Sequence, residues 1–257
     1  KIIVFNRKLG ARVPFKKHDI DYDALVYGSE EAPCVPVNSN HPLYILYTSG
    51  TTGKPKGIVR DTGGYAVALK FSMKYIYNVK EEETFWAASD MGWAVGHSYI
   101  LYGPLLNRNT TIIFEGKPIK TPDASTFWRI ISDHKVGTMF TAPTAIRAIK
   151  KEDPDGEFIK QYDLSALKNQ FLAGERCDNA TIEWYQQHIP IPVIDHWWQT
   201  ESGWPMVANS LGIEQMLVKP GSATKAVCGY DIRIFNENGE ELNANEEGLV
   251  VVKLPLP

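Results

Sequence analysis

Strand-like and helix-like runs alternate along this 257-residue chain. Apolar and β-branched runs fall near residues 1–5, 43–48, 84–89, 110–114, 136–141, 168–173 and 192–196. Helix-like runs fall between them, near 63–78, 97–107, 121–134, 143–151 and 178–188. Such alternation predicts an α/β fold, with mostly parallel sheets covered by helices on both faces. The pattern changes near residue 212. Tyr230–Phe235 alternates at period two, Asn236–Gly239 is a turn signal, and Gly248–Lys253 follows as a second strand. The expected division is therefore an α/β core over 1–212 and a C-terminal antiparallel β subdomain over 213–257. Three prolines between Ser29 and Pro42 predict a surface connection. Asp178-Asn179 is the expected helix cap, and Pro143 lies near the expected first helical position.

Net charge is −3 and the isoelectric point about 6.1. A general nucleic-acid binder would need a basic face, so no nucleic-acid partner is expected. No apolar stretch approaches the ~20 residues of a membrane span. Cys34, Cys177 and Cys228 lack metal-ligand spacing and read as reduced thiols.

The densest chemistry lies in Thr48–Gly57, T-S-G-T-T-G-K-P-K-G, directly after the apolar run Leu43–Tyr47. Thr48, Ser49, Thr51 and Thr52 offer hydroxyls, and Lys54 and Lys56 offer positive charge. Gly50, Gly53 and Gly57 let the chain turn tightly, and exposed N–H groups in such a turn form an anion site. The spacing is not that of the P-loop, because two residues separate Gly50 from Gly53 and Pro55 follows Lys54. A plain surface turn would also use glycine and serine. Two lysines flanking a proline after a strand favour a polyphosphate-holding loop.

Four further segments carry candidates. Asp195–Gly203, D-H-W-W-Q-T-E-S-G, follows an apolar run. Ligands of open α/β sheets bind beyond the carboxyl ends of strands. Thr200 offers a hydroxyl to a phosphate oxygen, and Glu201 a hard oxygen to Mg²⁺. Ala173-Gly-Glu-Arg176 also follows a strand-like run. In Asp90–Tyr99, Trp93 lies between Gly92 and Gly96. His97 fits a general acid–base residue and a backbone-bonded helix-start histidine equally well, and is not assigned. In Phe140–Arg147, Arg147 reads as a solvated helix residue that could also reach a phosphate.

The Thr48–Gly57 loop resembles the phosphate-binding signature of the acyl-adenylate-forming enzymes. The other segments narrow the resemblance to short-chain acyl-CoA synthetases of the acetate and propionate type, over essentially the whole chain. The resemblance implies ATP, Mg²⁺ and CoA as cofactor and co-substrates. It implies ATP or AMP contacts at Thr48, Ser49, Gly50, Thr51, Thr52, Gly53, Lys54, Lys56, Gly174, Glu175, Arg176, Asp195, His196, Trp197, Gln199 and Thr200. It gives Thr200 an α-phosphate contact and Glu201 the Mg²⁺, both catalytic alongside Lys56. The acyl pocket would be Trp93, Ala94, Val95, Ala173 and Trp198, with Ala142 beside CoA. Arg176 stands where acetate-type members often carry proline.

The implied reaction begins with a short carboxylate attacking the α-phosphorus of ATP, releasing pyrophosphate. CoA thiol then takes the acyl group from acyl-AMP. Trp198 would close the acyl pocket to long chains, while Ala94 and Ala173 replace valines common in acetate-preferring members. Propionate is therefore expected over acetate, since one buried CH₂ contributes about 0.8 kcal/mol. The chain would span the central part of such an enzyme, ending before a mobile C-terminal domain that supplies a lysine. Alone it would be poorly active. Location would be the mitochondrial matrix or the cytoplasm. The alternatives are a non-catalytic nucleotide-binding module and an acyl-adenylating enzyme with an acceptor other than CoA.

Overall fold

In the computed structural model the described residues are 1–7, 9–10, 14–49 and 53–257. β1 (Ile2–Val4) pairs in parallel with β2 (Asp19–Asp21), and α1 (Tyr22–Val26) follows, capped by the Asp21 carboxylate accepting from the Asp23 N–H. These elements belong to one unit, Lys1–Val37; Asn38–Pro257 form a second. Residues 29–38 carry neither helix nor strand and are exposed, as their prolines predict.

The second unit opens with a hairpin. β3 (Pro42–Thr48) pairs antiparallel with β4 (Lys56–Asp61), Thr48 opposite Lys56 and Tyr44 opposite Arg60. This corrects the sequence reading. Lys56 and Gly57 are strand residues rather than loop, and β4 was not foreseen, whereas Thr48 ends β3 as the run 43–48 implies. Glycine and lysine are poor strand formers, so β4 is set by its ladder with β3 rather than by propensity. α2 (Gly63–Tyr75) follows.

Five parallel strands come next, in the spatial order β6-β5-β7-β8-β9. They are β5 (Thr84–Ala87), β6 (Thr110–Thr111), β7 (Val136–Thr141), β8 (Asn169–Leu172) and β9 (Val193–Asp195). Between them lie α3 (Gly103–Leu106), α4 (Thr126–Asp133), α5 (Pro143–Glu152) and α6 (Asn179–His188). Period-two alternation splits each strand between two cores. Phe85, Phe140, Phe171 and Ile194 join Tyr65, Leu69 and Met73 of α2 on one face. Trp86, Met139, Leu172 and Val193 meet Trp128, Ile131, Ile149 and Tyr185 from α4, α5 and α6 on the other. The sheet is thus buried on both faces, as the α/β expectation requires.

Two helices depart from expectation. The run read as helix near 97–107 is a π-helix, Gly96–Tyr102, continuing into α3. Its wider turn accompanies a Ser98 hydroxyl bonded to Tyr65 Oη and Gly203 O, each at 2.6 Å. The run near 121–134 becomes helical only at Thr126, because Asp123 accepts from the Ser125 N–H and holds a turn there.

β10 (Val207–Ala208) and β11 (Lys225–Ala226) form one small antiparallel pair, β12 (Ile232–Phe235) and β13 (Leu249–Val252) another. The first pair bridges the expected boundary at 212. Gly212 itself donates to Tyr75 O, and a Cβ there would stand 2.2 Å from Lys74 O, so the close approach to α2 requires glycine.

Candidate active site

The carboxyl ends of β5, β7, β8 and β9 open on one side, and the segments that follow them line two adjoining cavities. Ser89 follows β5 and Ala142 follows β7. Ala173–Arg176 follow β8, and His196–Thr200 follow β9.

The first cavity is about 420 Å³. All five residues expected around an acyl group line it: Trp93, Ala94, Val95, Ala173 and Trp198. Ala142 and Thr200 line it too, together with Ser89, Phe140 and Thr141, which were not assigned from sequence. Ala94 and Ala173 are buried, whereas Trp93 is 68% exposed. Trp198 is braced edge-on by Tyr99, with ring centroids 5.5 Å apart. The signal that could have found Ser89 is its place just beyond a parallel strand.

The second cavity, about 480 Å³, is lined by Gly174, Glu175, Arg176, Asp195, His196, Trp197, Gln199 and also Trp198. Gly174, Trp198 and Gln199 therefore belong to both walls. Gly221 and Ala223, absent from the sequence assignment, complete it. Arg176 lies over Gly221, where a Cβ would stand 2.4 Å from Nε.

The remaining expected residues line neither cavity. Thr48, Ser49, Gly53, Lys54 and Lys56 sit at the hairpin end, both lysines exposed. Gly50, Thr51 and Thr52 lie outside the described residues. Glu201 is exposed, and among the described residues no cation pairs with its carboxylate. Its backbone carbonyl is held by Arg60 of β4 at 3.1 Å. That contact links the hairpin to the segment after β9.

Two adjacent residues have unusual acidities. Burial pushes the Asp195 carboxyl up to about 6, against the His196 N–H and the Arg176 charge. Burial pulls His196 down to about 4. The Leu172 carbonyl, 2.7 Å from Nδ1, can only accept, so Nδ1 carries the proton. Nε2 then accepts from Tyr77 Oη at 2.9 Å. Both ring nitrogens are thus committed in the core, and His196 holds its place in the cavity lining through Leu172 and Tyr77.

Arg147 differs from expectation. Its side chain is 35% exposed, but its guanidinium is engaged by protein partners. Nε bonds Asp178 at 2.9 Å, Nη1 bonds Glu175 at 3.0 Å and Nη2 donates to Arg176 O at 3.3 Å. The guanidinium thus clamps the segment after β8 onto α5. His97 stacks on Tyr44, with ring centroids 4.8 Å apart.

Among the described residues no cluster of three or more His, Cys, Asp or Glu side chains forms a metal cage. One free carboxylate, Glu201, fits a cation that keeps water and shares ligand phosphates, the habit of Mg²⁺. No helix of the described residues is long and apolar enough to cross a membrane.

A model of the AMP-binding enzyme family matches residues 6–256. The chain belongs to the AMP-binding enzyme family. Within that family, it is 52% identical over 259 aligned residues to "Acyl-CoA synthetase short-chain family member 3, mitochondrial" of Homo sapiens, covering all of this chain and 38% of the relative. It is 48% identical over 221 residues to "Acyl-CoA synthetase short-chain family member B, mitochondrial" of Dictyostelium discoideum, covering 86% of this chain and 32% of the relative. It is 44% identical over 259 residues to "Propionate--CoA ligase" of Escherichia coli strain K12, covering all of this chain and 41% of that protein. The chain thus spans about two fifths or less of the curated relatives it matches.

Proposed function

We propose that this chain carries the nucleotide- and acyl-binding part of a short-chain acyl-CoA synthetase. The reaction is ATP-dependent activation of a short carboxylate, first to acyl-AMP and then to acyl-CoA, with release of pyrophosphate and AMP. The carrying observation is the pair of cavities sharing Gly174, Trp198 and Gln199. One is walled by small and aromatic side chains, the other by polar groups, as suits the two ends of an acyl adenylate.

In this reading the adenosine occupies the second cavity, beside Gly174, Glu175 and Asp195. The short acyl group fills the first, against Trp198, Ala94 and Ala173. Thr200, on the first cavity's wall, offers its hydroxyl to the α-phosphate between them. Lys54, Lys56 and the hairpin-end N–H groups neutralise phosphate charge as the carboxylate approaches, which like charges would otherwise resist. Glu201 would hold Mg²⁺, whose contribution is further neutralisation of the triphosphate. Ala142 leaves a close approach for the CoA thiol. Two alanines in place of larger residues make room for propionate, with acetate accepted less well. The names of the human and Dictyostelium relatives support a mitochondrial location.

Pyrophosphate–ATP exchange tests the reading. Exchange should depend on added acid, with propionate above acetate and butyrate, in a protein of the relatives' length carrying this chain. Acid-independent or absent exchange would remove the assignment.

A further inference from the structure

Arg60 lies outside every segment that the sequence singled out, yet it meets the loop after β9 at three consecutive carbonyls. Nη2 donates to Thr200 O at 2.8 Å and Glu201 O at 3.1 Å, and Nη1 to Ser202 O at 3.1 Å. The guanidinium carbon sits 5.5 Å from the centroid of the Tyr65 ring. It also lies against Gly203, whose φ of +76° and a Cβ position 2.8 Å from Cζ both call for glycine.

Tyr44 is the register partner of Arg60 across the hairpin. It reaches the next carbonyl through hydroxyls. Tyr44 donates to Tyr65 at 3.2 Å, Tyr65 to Ser98 at 2.6 Å, and Ser98 to Gly203 O at 2.6 Å. One cross-strand pair thus fastens the carbonyls of residues 200–203. A planar fork with five donors suits this task, and a lysine ammonium does not reproduce it.

We propose that Arg60 is a positioning residue. It locks the Thr200–Ser202 backbone to the hairpin that carries Lys54 and Lys56, and so sets where the Thr200 hydroxyl and Glu201 carboxylate stand against a magnesium-bound triphosphate. This rests on the nucleotide reading above. Charge-assisted bonds to three carbonyls are stronger than neutral ones, so their loss should free the segment locally.

The test compares Arg60→Met and Arg60→Lys with the parent chain, by calorimetric titration with ATP with and without Mg²⁺, and by amide exchange. In R60M, MgATP binding should weaken about tenfold, and most of the affinity gained from Mg²⁺ should disappear. Amides of residues 199–204 should exchange faster while those of β7 and β8 stay protected. R60K should be intermediate, and it stands in if R60M does not fold. MgATP affinity within about twofold of the parent, or unchanged exchange at 199–204, would overturn the inference. So would exchange accelerated equally in β7 and β8, which marks general unfolding. A parent chain that does not bind MgATP would overturn the nucleotide reading itself.

Discussion

Arg147 Nη1 stands 3.0 Å from Glu175 Oε1, and this contact fastens the middle of α5 to the wall of the second cavity. Arg147→Met removes it together with the bond to Asp178. Both partners are partly exposed, so the expected stability loss is about 1 kcal/mol, read as a small fall in the thermal midpoint. ATP affinity should fall about fivefold, equivalent to roughly 1 kcal/mol of binding free energy, because Glu175 loses its fixed position. Calorimetry on the variant checks it. A fall in melting temperature with unchanged ATP affinity would count against the clamp.

Asp195 and His196 should oppose one another in the pH dependence of stability. His196 titrates near 4 in the folded chain, below its ordinary 6.5, so the unfolded chain binds the extra proton between those values. Its contribution is full above about pH 6.5 and is lost as pH falls towards 4. The size is on the order of 3 kcal/mol. Asp195 titrates near 6, above its ordinary 3.8, so there the folded chain binds the extra proton. Its contribution grows as pH falls through that window. Relative to the parent, Asp195→Asn should lose stability more steeply on acidification. His196→Gln should lose it less steeply. Urea midpoints between pH 4 and 7 measure both slopes; parallel slopes in all three chains would refute the opposition.

Filling the first cavity should shift acyl preference. Ala173→Val adds volume beside Trp198, where Ala173 is 8% exposed. If propionate gains about 0.8 kcal/mol from one extra buried CH₂, the variant should lose about fourfold in its preference for propionyl- over acetyl-adenylate. Competitive titration with the two adenylates reads the ratio. A preference unchanged or raised by valine would place the acyl group elsewhere.

The three thiols should separate into two kinetic classes. Burial pushes Cys177 up to about 11, whereas Cys34 and Cys228 are exposed. The thiolate is the reactive form. A chromogenic disulfide at neutral pH should therefore label Cys34 and Cys228 promptly and Cys177 only after denaturant is added. Prompt labelling of all three would show that the core around Cys177 opens readily.

Much of this architecture was legible from periodicity. The strands β5, β7, β8 and β9 and the helices α2, α5 and α6 fall on the strand-like and helix-like runs of the sequence. Asp178 caps α6 as its sequence position implied, accepting from the Thr181 N–H. Of the cavity residues, Ala173–Arg176 and His196–Thr200 directly follow β8 and β9, whereas Trp93–Val95 were expected only from the family resemblance. What escaped has a common physical cause: it depends on partners distant in sequence. β4 is a strand because β3 offers it a ladder. Arg60 matters because carbonyls some 140 residues away face it. The ties of Arg147 to Glu175 and Asp178, and of His196 to Leu172 and Tyr77, escaped because local pattern reveals none of these partners. The π-helix at Gly96–Tyr102 accompanies contacts that Ser98 makes with Tyr65 and Gly203, both distant in sequence.

The shared wall of Gly174, Trp198 and Gln199 makes the two chambers partly independent as targets of variation. Exchange at Ala94 or Ala173 remodels one chamber alone, and exchange at Arg176 or Ala223 remodels the other. Any change in the partition itself perturbs both at once. Variation can therefore reshape one chamber while leaving the other intact, provided the three partition residues stay as they are.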